Sequence, residues 1–208
     1  MFLKKIKILL LIFCLSSISN AYSQIKIGIK TGVNISNGKF TQNGAKEKLN
    51  NIVRFNAGLT SETALNESLF LRSELLYSWK GWAFDANTFG SSGNMNMHYI
   101  TVPLLVGYNI TPKFSAVLGP EFGYLIKAVR SPNISIDYTD FYRRFDMAAS
   151  IGLLYRLSKN IGIETRYTYG FIPVAPELPN GNQNLTSESY TGYNKTFQAG
   201  IFYFIGNK

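Results

Sequence analysis

Eight segments of this chain alternate apolar and polar residues with a period of two, and no other feature restricts its fold as tightly. In "IKIGIKTGVN", Ile25, Ile27, Ile29, Thr31 and Val33 alternate with Lys26, Gly28, Lys30, Gly32 and Asn34. That period belongs to a β-strand with one apolar and one polar face. A soluble strand packs its isoleucines on a core, whereas a membrane barrel shows them to lipid and turns its lysines inward.

The same alternation sets Val53, Phe55, Ala57 and Leu59 against Arg54, Asn56, Gly58, Thr60 and Glu62. It sets Leu71, Leu75, Tyr77 and Trp79 against Arg72, Glu74 and Ser78, and Ile100, Val102, Leu104, Val106 and Tyr108 against Thr101, Pro103, Gly107 and Asn109. Phe114, Ala116, Leu118, Phe122 and Tyr124 oppose Ser115, Gly119, Glu121 and Gly123. "FDMAASIGLLYRL" and "IGIETRYTYGF" are the most regular, with Asp146, Ser150, Gly152 and Arg156, then Glu164 and Arg166, on their polar faces. In "KTFQAGIFYFI" the polar face is interrupted by Phe202 and Phe204, which leaves its orientation open. Segments of about ten residues suffice to cross a bilayer at a tilt.

The connections sort by parity. Residues 35–52, 80–97, 125–140 and 172–194 are long and rich in Gly, Asn, Ser and Pro, whereas "LNES", "ITPK" and "SKN" are tight turns. Short turns on one side and long loops on the other characterise outer-membrane barrels. Aromatic residues gather at the segment ends. Trp79, Trp82, Tyr99, Tyr124, Phe141, Tyr142, Tyr169 and Phe171 are expected on the loop side, and Tyr108, Phe114, Tyr155 and Tyr203 on the turn side. Such belts place amphipathic rings between lipid and water.

The start of the chain reads as a secretory signal peptide. Lys4, Lys5 and Lys7 precede the apolar run Ile8 to Leu15, and "SISNAYSQ" supplies small residues before a cut near Ser23. This divides the chain into a leader, 1–23, and a barrel domain, 24–208. Cys14, the one cysteine, falls in the leader; Phe13 is too bulky for a lipoprotein cleavage box. The remainder has no thiol for a disulfide or a metal. Losing the three leader lysines takes the formal charge from +9 to +6. For a secreted chain, lipid phosphate is the fitting acidic partner rather than nucleic acid. No apolar run of about 18 residues follows the leader, so a membrane-spanning form must be a closed barrel.

The segments "IGIKTGVN", "LRSELLYSWKG", "YITVPLLVGYNI", "VLGPEFGYLI", "FDMAASIGLLYRLSKNIGIETRYTYG" and "FQAGIFYF" together resemble the PorT-type family of small outer-membrane β-barrels of Gram-negative bacteria. The resemblance implies an eight-stranded barrel in the outer membrane. PorT itself is associated with protein secretion, but no motif here singles out that role.

The polar faces carry Arg54, Glu62, Arg72, Glu74, Glu121, Asp146, Arg156, Glu164 and Arg166, with Lys26 and Lys30. Paired carboxylates can serve acid–base catalysis. In a narrow barrel, charges of both signs are expected instead to neutralise one another as a lumen network. His98, the one histidine, shares a loop with Asp85, Ser91 and Ser92, the nearest this chain comes to a hydrolytic constellation. One histidine without a thiol makes a poor metal site. The inward glycines lack the helix and the Gly-Lys-Ser/Thr ending of a phosphate loop, and no cofactor is expected. Lys39, Lys46, Lys48, Lys127, Arg130, Arg143 and Arg144 lie in or beside the long loops, where they either meet lipopolysaccharide phosphates or are simply solvated.

The reading is an all-β protein: an eight-stranded antiparallel up-and-down transmembrane β-barrel in the outer membrane, without enzymatic activity. Its role is structural or one of surface interaction, with outer-membrane lipid, lipopolysaccharide and a protein met through the long loops as partners. The alternatives are a small porin or transporter, a soluble lipocalin-like binder, and a surface hydrolase built on His98.

Overall fold

A computed structural model describes residues 25–42, 45–46, 49–85, 92–131, 136–174 and 190–205. Eight long strands form the wall: β1 (Ile25–Gln42), β2 (Ile52–Ala64), β3 (Leu69–Phe84), β4 (Gly93–Asn109), β5 (Phe114–Ser131), β6 (Phe145–Arg156), β7 (Ile161–Gly170) and β8 (Tyr190–Ile205). Each pairs antiparallel with its sequence neighbours, and β1 closes on β8 from Ile27↔Ile205 to Gln42↔Tyr190. Two-residue strands at Ala45–Lys46 and Ile136–Asp137 extend the sheet above β1 and β5.

The three short turns share one hydrogen-bonding scheme. Leu65, Ile110 and Leu157 each donate N–H to the carbonyl four residues on, and Asn66, Thr111 and Ser158 donate to the same oxygens. The side chains of those second residues then accept from the strand that follows, at 2.8 Å (Leu69 N), 3.0 Å (Phe114 N) and 3.1 Å (Ile161 N). Asx and Ser/Thr turns of this kind make the "LNES", "ITPK" and "SKN" sequences fold locally.

The opening isoleucines face outward: Ile27 and Ile29 are 57% and 51% exposed, while the alternating Gly28 and Lys30 are buried. Val53, Leu59, Leu118, Ile151 and Ile163 continue this apolar belt around the wall. A contiguous apolar belt of this extent is covered by lipid in a membrane protein. Phe202 and Phe204 point inward, which settles the orientation of β8.

Only about ten residues are needed for the crossing, yet β1 and β5 have 18 and β4 has 17. The excess lies on the loop side, so part of each segment read above as long loop (35–52, 80–97, 125–140, 172–194) is strand. β6 and β7 stop sooner, with 12 and 10 residues, which leaves the loop-side rim uneven.

Candidate functional site: the filled lumen and the loop-side rim

The lumen is layered. Beside the turns, Phe70, Leu105, Val117, Leu154, Phe202 and Phe204 form an apolar floor. The ring of Phe70 lies on the backbone of Gly107 and that of Phe202 on Gly162, space that any Cβ would occupy. Toward the loops, Leu49, Trp82, Phe84, Met95, Met97, Tyr99, Leu125, Ala128 and Val174 form an apolar cap, with Tyr138 and Tyr142 packed against it.

Between floor and cap lie most of the charges, with Glu62 and Arg156 at the edge of the turn-side mouth. Glu74 accepts from Arg72 Nε (2.7 Å), Lys30 Nζ (3.1 Å) and both terminal nitrogens of Arg166 (3.0 and 2.8 Å). Glu164 accepts from Arg72 Nη2 (2.8 Å) and Arg166 Nη2 (3.2 Å), and it also pairs with Lys30. Glu62 bridges Arg72 (3.0 Å) and Arg156 (2.8 Å). Closer to the cap, Lys80 Nζ donates to Glu121 Oε1 at 2.7 Å, and Ser150 also donates to Glu121. Lys30, Arg72, Lys80 and Arg166 are buried with Glu62, Glu74, Glu121, Asp146 and Glu164; half-buried Arg156 brings the two signs to five each. The guanidiniums of Arg72 and Arg156 also sit over the Phe202 and Phe70 rings, at 4.4 and 5.4 Å. Uncompensated, any of these charges would cost several kcal/mol.

Three of the polar-face residues read from sequence do not join these pairs. Asp146 is inside but takes its contact from Asn194 Nδ2 (2.8 Å) instead of a cation. Arg54 leaves the lumen. The β2–β3 ladder stops at Asn56↔Ser78 and resumes in a single bridge, Asn50↔Ala83. Across the gap Asn34 Nδ2 reaches the carbonyls of Phe55 (3.3 Å) and Trp79 (2.8 Å). Gly81, at φ +145°, donates its N–H to Ser36 Oγ (3.0 Å) where β3 bends away. Arg54 emerges through this split, and its guanidinium sits 4.8 Å over the Trp79 ring. Lys26 lines the turn-side mouth and forms no ion pair among the described residues.

The belt assignments also need correction. Trp82 and Tyr99 are buried in the cap, and Tyr142 packs on it. Tyr124, Phe141, Phe171, Tyr108, Tyr155 and Tyr203 face outward. The cap exists because β3 and β4 continue past the bilayer and turn these rings over the lumen.

His98 is engaged by rings. Its Nδ1 lies 2.5 Å from Tyr77 Oη, and its imidazole stacks on Trp79 at 5.1 Å between centroids. Among the described residues no serine or carboxylate hydrogen-bonds it. Asp85 accepts from Asn50 Nδ2 at 3.2 Å; Ser91 lies outside the described residues. Of the basic loop residues, Lys39, Lys127 and Arg143 are exposed, Arg130 sits 4.8 Å over Phe84, and Arg144 pairs with Asp140. The side chain of Lys46 and all of Lys48 lie outside the described residues, as does the leader. Among the described residues no cluster of His, Cys, Asp or Glu could hold a metal ion.

Sequence reasoning missed Lys80, which falls in a segment read as loop. The signal was present: Lys80 continues the inward parity of Arg72, Glu74 and Ser78.

Residues 17–175 match a family model described as outer membrane protein beta-barrel domain. No match was found among curated proteins. Among solved structures, Neisserial surface protein A is similar at 12% identity and a TM-score of 0.54, over 85% of this chain and 97% of that one. The attachment invasion locus protein Ail of Yersinia pestis is similar at 18% identity and a TM-score of 0.49, over 86% of this chain and 98% of that one.

Proposed function

The chain belongs to the outer membrane protein beta-barrel domain family, and from that premise we propose that it acts by presenting a surface, with neither catalysis nor solute passage in its lumen. The observation that carries this reading is the filled interior. Arg72 and Arg166 cross a bore walled off by the Phe70–Phe202–Phe204 floor and the Trp82–Met97–Tyr99 cap. Eight strands leave room for side chains or one small ligand, and wider channels need more strands. What remains to interact is the long-stranded rim and its loops, where binding residues concentrate on rigid scaffolds.

The protein resides in the outer membrane. The ordered run of segments supports placing it in the PorT-type branch, and its N-terminal composition supports a leader cut near Ser23, with 24–208 as the barrel domain. Lipopolysaccharide and a protein reached through the loops are the proposed partners. Full-length protein made in a Gram-negative host is expected in the outer-membrane fraction, with mass spectrometry finding residues 1–23 absent. Mature protein soluble in the periplasm would overturn the assignment.

A small porin is the second reading. It is favoured by a cavity of about 850 Å³ at the turn side, bordered by Lys26, Lys113, Arg156 and Lys159. That basin ends on Glu62 and Phe70. Wild-type protein in planar bilayers is therefore expected to give no stable, large openings. Steady conductance permeable to sugar-sized solutes would promote the porin reading.

A further inference from the structure

The split between β2 and β3 places a cation where the alternation of the strand would not, and it stands at one end of a continuous row. Trp79 on β3 pairs with His98 on β4, and His98 pairs with Lys127 on β5. The Arg54 guanidinium lies over Trp79, and Phe55 meets the same indole edge-on at 5.8 Å. Tyr77 stands on the bilayer side of the row, 5.6 Å from Phe55 and bonded to His98. Four adjacent strands thus present two cations flanking an aromatic shelf, on the outer wall at the level of the loop-side belt.

Donors remain open on this shelf. A guanidinium has five N–H groups. In Arg54, Nε and Nη2 are directed at Asn96 Oδ1 (3.0 and 2.8 Å) and Nη1 at the Val53 carbonyl (2.8 Å), which leaves two. Lys127 is exposed and forms no ion pair among the described residues. In the tautomer where the Tyr77 hydroxyl donates to Nδ1, the His98 ring carries its proton on Nε2 and adds a third donor. The acid nearest in the sheet, Asp137, accepts from the Thr139 backbone N–H (2.9 Å) and hydroxyl, which together with the neighbouring Lys127 and Arg144 charges hold its carboxyl below the usual range; it feels Lys127 without forming an ion pair with it among the described residues.

We propose that Arg54, His98 and Lys127, on the Phe55–Tyr77–Trp79 shelf, form a binding site for the phosphate of an outer-leaflet lipid. This rests on the outer-membrane reading and gives it a specific ligand site. The belt depth commits the occupant to a lipid: its acyl chains run down the wall past Leu75 and Ile100, and its phosphate meets the cations. Paired cations and hydrogen-bond donors suit a phosphate dianion, which accepts several charge-assisted bonds at once. Trp79 is the natural reporter, because Trp82, the other tryptophan, is enclosed in the cap.

The test titrates the purified barrel in neutral micelles with phosphorylated lipid A, dephosphorylated lipid A and inorganic phosphate, following tryptophan emission. Phosphorylated lipid A is expected to change the emission saturably, while the other two act only at far higher concentration. Each of Arg54→Gln and Lys127→Gln is expected to weaken lipid A binding roughly fivefold, and the pair to combine. Heat-modified gel migration and circular dichroism establish that the variants remain folded. Lys127→Arg should bind as wild type. Equal binding by the folded double variant would overturn the site, and so would equal binding of dephosphorylated lipid A, which marks an acyl groove only. Inorganic phosphate as effective as lipid A would make it a soluble-anion site. Failure of the outer-membrane reading would look different, since the protein would not insert into any bilayer.

Discussion

Replacing Glu74 with Gln is expected to lower the stability of the folded barrel by about 3–5 kcal/mol, the cost of breaking a buried ion pair from one side. Glu74 is the shared acceptor of Lys30, Arg72 and Arg166, all buried with it. Glutamine keeps the shape but removes one of the five negative charges that balance the lumen, and it presents N–H groups toward guanidinium donors. Glu164 already serves the same three cations and cannot compensate. Urea unfolding in phosphatidylcholine vesicles measures the effect. The sign can be checked by restoring balance: Glu74→Gln with Lys30→Met should recover part of the loss, because neighbouring sites in one network are non-additive. Lys26→Gln, at the mouth without an ion pair among the described residues, should stay within about 0.5 kcal/mol of wild type. A neutral outcome for Glu74→Gln would mean that water reaches the network.

The features legible in the sequence were those set locally. Period-two alternation placed the membrane-crossing part of each of the eight wall strands, and Asn66, Thr111 and Ser158 gave the turns away because their side chains bond only a few residues downstream. The inward facing of the charged residues that pair in the lumen, Lys80 excepted, could be read for the same reason: on a strand, parity alone decides facing. What escaped was set by distant partners. Nothing near Arg54 announces that β3 will bend away at Gly81 and open a gap across from it. Trp82 and Tyr99 read as belt residues because an aromatic at a strand end fits a lipid interface or a lumen cap equally well. Phe202 and Phe204 broke their pattern because the polar face of a closed barrel need not be polar throughout. At the turn end that face packs against the floor, where a ring on Gly162 excludes more water than a charge could. The breaks in alternation therefore marked structure at the lumen ends.

Introducing Arg at Ile151 tests the facing of the wall at its most demanding point. Ile151 is 59% exposed and lies between Phe145 toward the loops and Tyr155 toward the turns, which places it near mid-bilayer. Its neighbours across the sheet, Leu118 and Tyr167, also face outward, so neither supplies a carboxylate to receive a guanidinium. A lipid-facing Arg at the midplane costs roughly 2–4 kcal/mol, falling to about 0–1 near an interface. Ile151→Arg should therefore unfold at clearly lower urea than wild type in vesicles, and Tyr155→Arg should fall between them. The adjacent inward residue makes a poor control, because a Cβ on Gly152 would come within 2.5 Å of the Thr165 carbonyl oxygen. Gly123 serves better: a Cβ there meets nothing closer than 3.4 Å, so Gly123→Ser should be nearly neutral. The depth gradient separates causes. Steric damage would not track distance from the bilayer centre, whereas the cost of burying charge in hydrocarbon must. Ile151→Arg folding as readily as Gly123→Ser would mean that Ile151 does not face lipid, and the alternation would then describe the wall of a soluble barrel.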